Sequence, residues 1–432
     1  MALVLYNLIL TMLALPALPM VATALAVRPR YRLGLSQRLG FIPAEVLERF
    51  QGHKPIWLHA PSVGETLATR PFLRKLKERF PGHPLLLSCL TPTAYATVTE
   101  RVSEADGVIY FPLDYPLFVE AVLSRLAPSL FFFTETEMWP NFLSSLQRHG
   151  IPTILVSGRF SVRTQARYRP ASFLFAPILA RLSLCCMQTQ ADAERLISAG
   201  AKRERVFATG NFKVDGITTG SDVGRQVLTA VGLGDRPLLI GASTHAGEEE
   251  TLLRAYRLLQ ATIPHLLLLL APRHPQRFGE VEALLQTHSY RYLKRSQKDQ
   301  VSADVEVFLL DTLGELSSFY SAATLVFVGG SLVRGPGGHS VIEPALAQVP
   351  VCFGPYTHNF TTVVEELVHD GGGFIVCDAE SLVQTALAVF TDHSLKDKAG
   401  RSALTVIRRG QGAVERTMAT IEQELLNQSL SI

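Results

Sequence analysis

Short, almost wholly apolar runs recur along this chain, and each is followed by a stretch with helical spacing. That alternation constrains the fold more than any other feature. Strands covered on both faces read as unbroken apolar runs, and strands that alternate with helices pair in parallel. The first half offers Ile56–His59, Leu85–Leu90, Val108–Phe111, Leu130–Thr134, Thr153–Ser157 and Leu184–Gln188, with helical segments such as Leu67–Phe80 and Phe118–Leu126 between them. A second series begins at Pro237 and gives His265–Leu270, Val305–Leu310, Thr324–Val328, Val349–Phe353 and Gly373–Val376. The fold class is therefore α/β, and 432 residues call for two domains. Residues 28–215 form the expected first domain and 237–410 the second. The Gly-, Thr-, Ser- and Asp-rich stretch 216–236 links them, and 411–432 is an expected helix that packs back on the first domain.

Residues 1–27 carry no charged side chain, and the stretch is long enough to cross a hydrocarbon core of roughly 30 Å. Positive charge follows it, at Arg28, Arg30, Arg32 and Arg38. A cleaved signal carries its charge first. The order here predicts a membrane anchor with the body of the protein in the cytoplasm, its arginines near anionic lipid. The formal net charge of +3 gives no case for nucleic acid. The five cysteines lack C-x-x-C spacing and read as buried, reduced thiols.

Ligands on parallel sheets sit beyond the carboxyl ends of the strands, and the polar clusters fall there. The first is Ser62-Val-Gly64-Glu65, a strand end, a glycine turn and a carboxylate opening a helix. Glu65 there either caps the helix or faces a crevice. In Thr134-Glu135-Thr-Glu137 the two carboxylates share a side if the chain stays extended and part if it turns. Lys213, in Gly-Asn-Phe-Lys, is a candidate cationic partner. Arg159, Arg163, Arg167 and Arg169 have no acidic residue among them and suit phosphate or a solvated helix face. In the second half Arg273 is a phosphate partner, Gly330 and Ser331 allow close backbone approach, and Glu343 can accept from ribose hydroxyls. Neither half carries G-x-x-x-x-G-K-[ST] or G-x-G-x-x-G, and no metal-ligand spacing occurs at His245, His274 or His339, so no metal is expected.

In order along the chain, H-A-P-S-V-G-E, T-E-T-E-M-W-P-N, G-N-F-K-V-D, G-A-S-T-H-A-G-E-E, P-R-H-P-Q-R-F, D-T-L-G-E-L and G-G-H-S-V-I-E-P-A resemble the Kdo transferase family of lipopolysaccharide synthesis. The resemblance implies a GT-B glycosyltransferase, with two Rossmann-like domains facing across a cleft and an N-terminal anchor. It implies metal-independent, inverting transfer of 3-deoxy-D-manno-octulosonic acid (Kdo) from CMP-Kdo to lipid A precursor at the bacterial inner membrane. Glu65 would be the general base, with Glu135 and Lys213 stabilising the transition state. Pro272, Arg273, Leu313, Gly314, Glu315, Ser340, Val341, Ile342 and Glu343 would hold CMP, with Gly330 and Ser331 beside them. Ser62, Gly64 and the four arginines would meet the acceptor lipid. The family often has Met at the place of Leu313 and Asn-Pro at that of Ser340-Val341, so a side-chain amide contact is lost here. The alternatives are a GT-B enzyme using another sugar nucleotide and a non-catalytic, membrane-tethered nucleotide-binding protein.

Overall fold

The computed structural model describes residues 2–27, 32–216, 223–234, 236–297 and 304–427. The chain divides into two units, the first made of Met1–Gly216 with Gly410–Ile432 and the second of Ile217–Arg409.

Unit 1 is built on a seven-stranded sheet in the order β3-β2-β1-β4-β5-β6-β7. Its strands are β1 (Ile56–His59), β2 (Leu85–Cys89), β3 (Gly107–Tyr110), β4 (Leu130–Glu135), β5 (Thr153–Gly158), β6 (Leu184–Met187) and β7 (Val206–Ala208). Every pairing is parallel. The apolar runs feed two cores, because successive side chains point to opposite faces. Trp57, Leu86, Phe131, Phe133 and Leu155 pack on one side. Ile56, Leu58, Leu87, Leu130, Phe132 and Ile154 pack on the other. The helix Ala413–Asn427 belongs to this second face, where Val414, Met418 and Ile421 are buried. It is tied down by Asp215, which accepts from the Gly412 and Val414 amides at 2.7 and 2.6 Å.

Unit 2 repeats the plan with β8 (Leu238–Thr244), β9 (Leu267–Pro272), β10 (Tyr292–Lys294), β11 (Val307–Leu309), β12 (Leu325–Val328), β13 (Val351–Phe353) and β14 (Gly373–Ile375). The order is β10-β11-β9-β8-β12-β13-β14, again parallel.

Several boundaries move. The helix expected over Leu67–Phe80 is two helices, Val63–Ala68 and Arg70–Arg79, and neither β7 nor β10 had a counterpart among the expected strands. Part of the expected linker is a helix, Val223–Ala230, whose Leu228 is buried in unit 2. Four cysteines are buried and free, but Cys377 is exposed, a correction to the reading of all five as buried.

The N-terminal helix runs Ala2–Val27, and its first part is apolar enough to cross a membrane. It is also stitched to unit 1. Tyr6 donates to Asp114 Oδ2 at 3.0 Å, and Asn7 and Asn141 exchange side-chain hydrogen bonds at 3.0 and 2.7 Å. Leu8, Ile9, Met12, Leu13 and Leu15 stay exposed. Of the arginines expected at the lipid surface, Arg28 and Arg30 lie outside the described residues. Arg32 caps the helix through the Leu25 and Ala26 carbonyls at 2.7 and 3.0 Å. Arg38 is a correction: its guanidinium is half-buried, donates to the Leu90 carbonyl and lies 4.9 Å from the Tyr110 ring centre.

Candidate active site

In unit 1 the strand order reverses between β1 and β4, where doubly wound sheets open a crevice. Glu65 follows β1 and Glu135 ends β4. Glu65 lies in the helix Val63–Ala68, which Ser62 caps. The Ser62 N–H donates to Glu65 Oε2 at 2.9 Å, its hydroxyl donates to the same oxygen, and Glu65 N–H points back at that hydroxyl at 3.5 Å. The capping alternative is thus realised. It engages one carboxylate oxygen; among the described residues Oε1 accepts no hydrogen bond.

Glu135 has a φ of 58°, in the left-handed region, and the β4–β5 register shifts beside it so that Glu135 pairs with Gly158. Such a residue costs of order 1–3 kcal/mol and persists only where its surroundings fix it. The bulge re-aims the side chain. Oε1 accepts from Lys213 Nζ at 3.1 Å and from Gln188 Nε2 at 3.3 Å. The Glu135 and Lys213 side chains are only 16% and 22% exposed, so the pair is poorly screened by solvent. Glu137 parts from Glu135. It accepts from Trp139 Nε1 at 3.0 Å and lies 3.7 Å from His59 Nε2.

Lys213 sits on the short helix Phe212–Asp215, whose cap Asn211 accepts the Lys213 N–H at 2.9 Å. Asn211 Nδ2 in turn donates to Gln188 Oε1 at 3.2 Å, and Gln188 Nε2 donates to the Ser157 carbonyl at 3.0 Å. Gln188 and Asn211 therefore hold the ion pair, although the sequence singled out neither as a site residue. Arg159 is brought to the pair through its backbone, N–H to the Glu135 carbonyl at 3.2 Å. Arg163, Arg167 and Arg169 are exposed.

In unit 2 the order reverses between β8 and β12. Pro272 ends β9 beside them and Arg273 follows it, its N–H held by the Thr244 carbonyl at 3.0 Å. The Arg273 side chain is exposed and makes no ion pair among the described residues. Glu343 lies mostly buried in the helix Ile342–Leu346; burial raises its pKa, and the charge of Arg273 opposes the rise. Ser340 Oγ is buried with no hydrogen-bond partner among the described residues, a polar atom left over for a ligand. Leu313 is 68% exposed, Gly314 turns at φ 84°, and Glu315 is held by Arg295 at 2.8 Å. Val341 and Ile342 are buried. They offer a ligand backbone rather than side chain.

The glycine-rich turn after β12 is a correction. Glu248, fully buried, takes the amides of Gly330, Ser331 and Leu332 at 2.7, 2.9 and 2.9 Å, and that of His245 at 2.9 Å. The amide nest is thus filled by the protein's own carboxylate. The Ser331 side chain is buried too, and its Oγ accepts from the Gly354 amide at 2.8 Å. Gly330 and Ser331 shape the loop and have no free amide for a donor phosphate. The loop brings His339 to His245, their Nε2 atoms 2.8 Å apart. Burial foremost, then the nearby Arg273 charge, pushes the His339 pKa down to about 4.

The family model described as 3-deoxy-D-manno-octulosonic-acid transferase (kdotransferase) matches residues 34–216. A 3-deoxy-D-manno-octulosonic acid transferase of Haemophilus influenzae is 33% identical over 400 residues, 92% of each chain. The chain belongs to the 3-deoxy-D-manno-octulosonic acid transferase family. The enzyme of that name from Bordetella pertussis is 34% identical over 86% of this chain and 87% of its own. A solved UDP-N-acetylglucosamine 2-epimerase superposes with a TM-score of 0.60 at 16% identity, covering 88% of this chain and 97% of its own. That likeness concerns the fold alone. As in the Kdo transferase family, the fold is GT-B, with two Rossmann-like units and an apolar N-terminal helix consistent with a membrane anchor.

Proposed function

We propose that this Kdo transferase family member moves Kdo from CMP-Kdo to a hydroxyl of lipid A precursor, with Glu65 as the general base. The acceptor oxygen attacks the anomeric carbon of Kdo, its proton passes to Glu65, and the bond from that carbon to the phosphate oxygen breaks with its electron pair leaving on CMP. The observation that carries this reading is the arrangement at adjacent strand ends. A carboxylate with one unclaimed oxygen follows β1, and a shielded Glu135–Lys213 pair ends β4. Bare anion binding gains nothing from such carboxylates, which favours catalysis over the non-catalytic alternative. Lys213 offers positive charge and Glu135 fixes where it sits. In unit 2, Pro272, Arg273, the loop 313–315 and residues 340–343 hold the CMP moiety, Arg273 meeting the phosphate as charge develops there.

The globular units lie on the cytoplasmic side of the inner membrane in this reading. Its support is the uncharged run 1–27 followed by Arg28, Arg30 and Arg32.

Glu65→Gln tests the base directly. The variant keeps the cap, because the amide oxygen still accepts from Ser62, and it is expected to fold and to bind CMP-Kdo unchanged. Its kcat should fall by about 10²–10⁴-fold. Transfer at the parent rate would remove Glu65 from the role.

A further inference from the structure

Beside the arginines of unit 1 lies a groove of about 590 Å³ that neither the strand-end carboxylates nor the donor residues use. Its walls are the helices Val162–Tyr168 and Ser172–Leu179, and Ala166, Phe175, Ala176 and Leu179 give it an apolar lining. Gly200 closes one end. A Cβ there would come within 2.7 Å of the Ala176 methyl, so the wall is drawn in as tightly as a bare backbone allows. Arg169 stands in the lining, with Arg163 and Arg167 on the same stretch of chain. All three are exposed, and none makes an ion pair among the described residues.

Two further observations say what reaches this surface. The helix Ser172–Leu179, one wall of the groove, is also touched by the apolar N-terminal helix, the segment suited to a bilayer. Val162 in the lining is 69% exposed, and Phe173, on the helix that forms one wall, is 55% exposed. Exposed apolar surface of this kind marks an interaction site. A ligand matching both the lining and these guanidiniums carries hydrocarbon and an anionic group in one molecule, and phosphate is such a group.

We infer that this groove receives one acyl chain of the acceptor phosphoglycolipid, while Arg163, Arg167 and Arg169 meet its phosphate. The inference rests on the acceptor named under the proposed function and adds to it a site for the lipid tail. Recognition of the tail as well as the sugar would let the enzyme choose an acylated acceptor among membrane lipids.

Photo-crosslinking of the full chain in detergent micelles tests it, with a tetra-acylated glucosamine disaccharide bisphosphate carrying a diazirine on its acyl chains. Adducts are expected on peptides from 162–179 and 198–200. Excess unlabelled glycolipid should suppress them, and equimolar phosphatidylethanolamine should not. Ala166→Trp and, from the opposite wall, Ser172→Trp should each lower the adduct yield. Each should also raise the KM for the tetra-acyl acceptor relative to the deacylated disaccharide bisphosphate by about tenfold, since fewer methylenes would be buried. Adducts confined to the N-terminal helix, equal competition by the phospholipid, or an unchanged KM ratio in both variants would overturn the inference. Crosslinking needs no turnover. Competable adducts on a protein that transfers nothing would support the groove and count against the transferase reading instead.

Discussion

The His245–His339 contact is a neutral pair by its surroundings. At 2.8 Å one Nε2 donates and the other accepts, so each ring has a fixed tautomer. Burial lowers both pKa values, and Arg273, His274 and Arg277 add positive charge around His245, against which Glu248 acts in the other direction. His339 titrates in the native state at about 4, below its ordinary 6.5. Between those values the unfolded chain binds more protons than the folded one, so acidification from pH 6.5 toward 4 removes stability. His339→Asn should flatten that decline, measured as the urea midpoint of unit 2 at pH 7 and pH 5. A midpoint that falls as steeply in the variant as in the parent would exclude the pair as its source. The residues named from motifs were legible at this scale because strand ends collect polar side chains. Glu135 stands at such an end, and Glu65, Lys213 and Arg273 stand beyond one. The occupied amide nest was not legible, since nothing local in Gly329-Gly-Ser331 reveals a carboxylate arriving from Glu248. Gln188 was hidden for a similar reason. Its partners Glu135 and Asn211 come from other segments.

Among elements, most strands declared themselves through their two-faced apolar runs; β7 and β10 did not, because Val206–Ala208 and Tyr292–Lys294 are short and each has only one buried residue. The anchor helix was legible from its absent charge, and its docking was not. Tyr6, Asn7 and Thr11 look incidental in an apolar stretch until they meet Asp114, Asn141 and Tyr115. Asp114 is the centre of that joint. Besides Tyr6 it takes the amides of Asn141 and Phe142 at 3.1 and 2.8 Å, and burial raises its pKa against those bonds. Asp114→Ala strands two buried amides and should cost about 1–3 kcal/mol for each group left unpaired. Tyr6→Phe removes only the helix's own bond and should cost about 1 kcal/mol. Denaturant unfolding in detergent checks the order of the two. An equal loss in both variants would mean that the helix, and not the amides, dominates the joint.

The whole chain is two parallel sheets, each reversing its strand order where its polar residues gather. Division into two units followed from length and from the restart of the strand pattern near Pro237. The return of Gly410–Ile432 to unit 1 rests on tertiary contacts, such as that of Thr417 with Thr209 at 2.8 Å. Every catalytic assignment depends on one reaction. The direct measurement is mass spectrometry of tetra-acylated lipid A precursor after incubation with the purified full chain and CMP-Kdo, with released CMP quantified alongside. The expected product is heavier by one Kdo residue or a whole multiple, with one CMP released per Kdo added and almost none released by Glu65→Gln. An acceptor of unchanged mass, or CMP release that does not depend on acceptor, would contradict it.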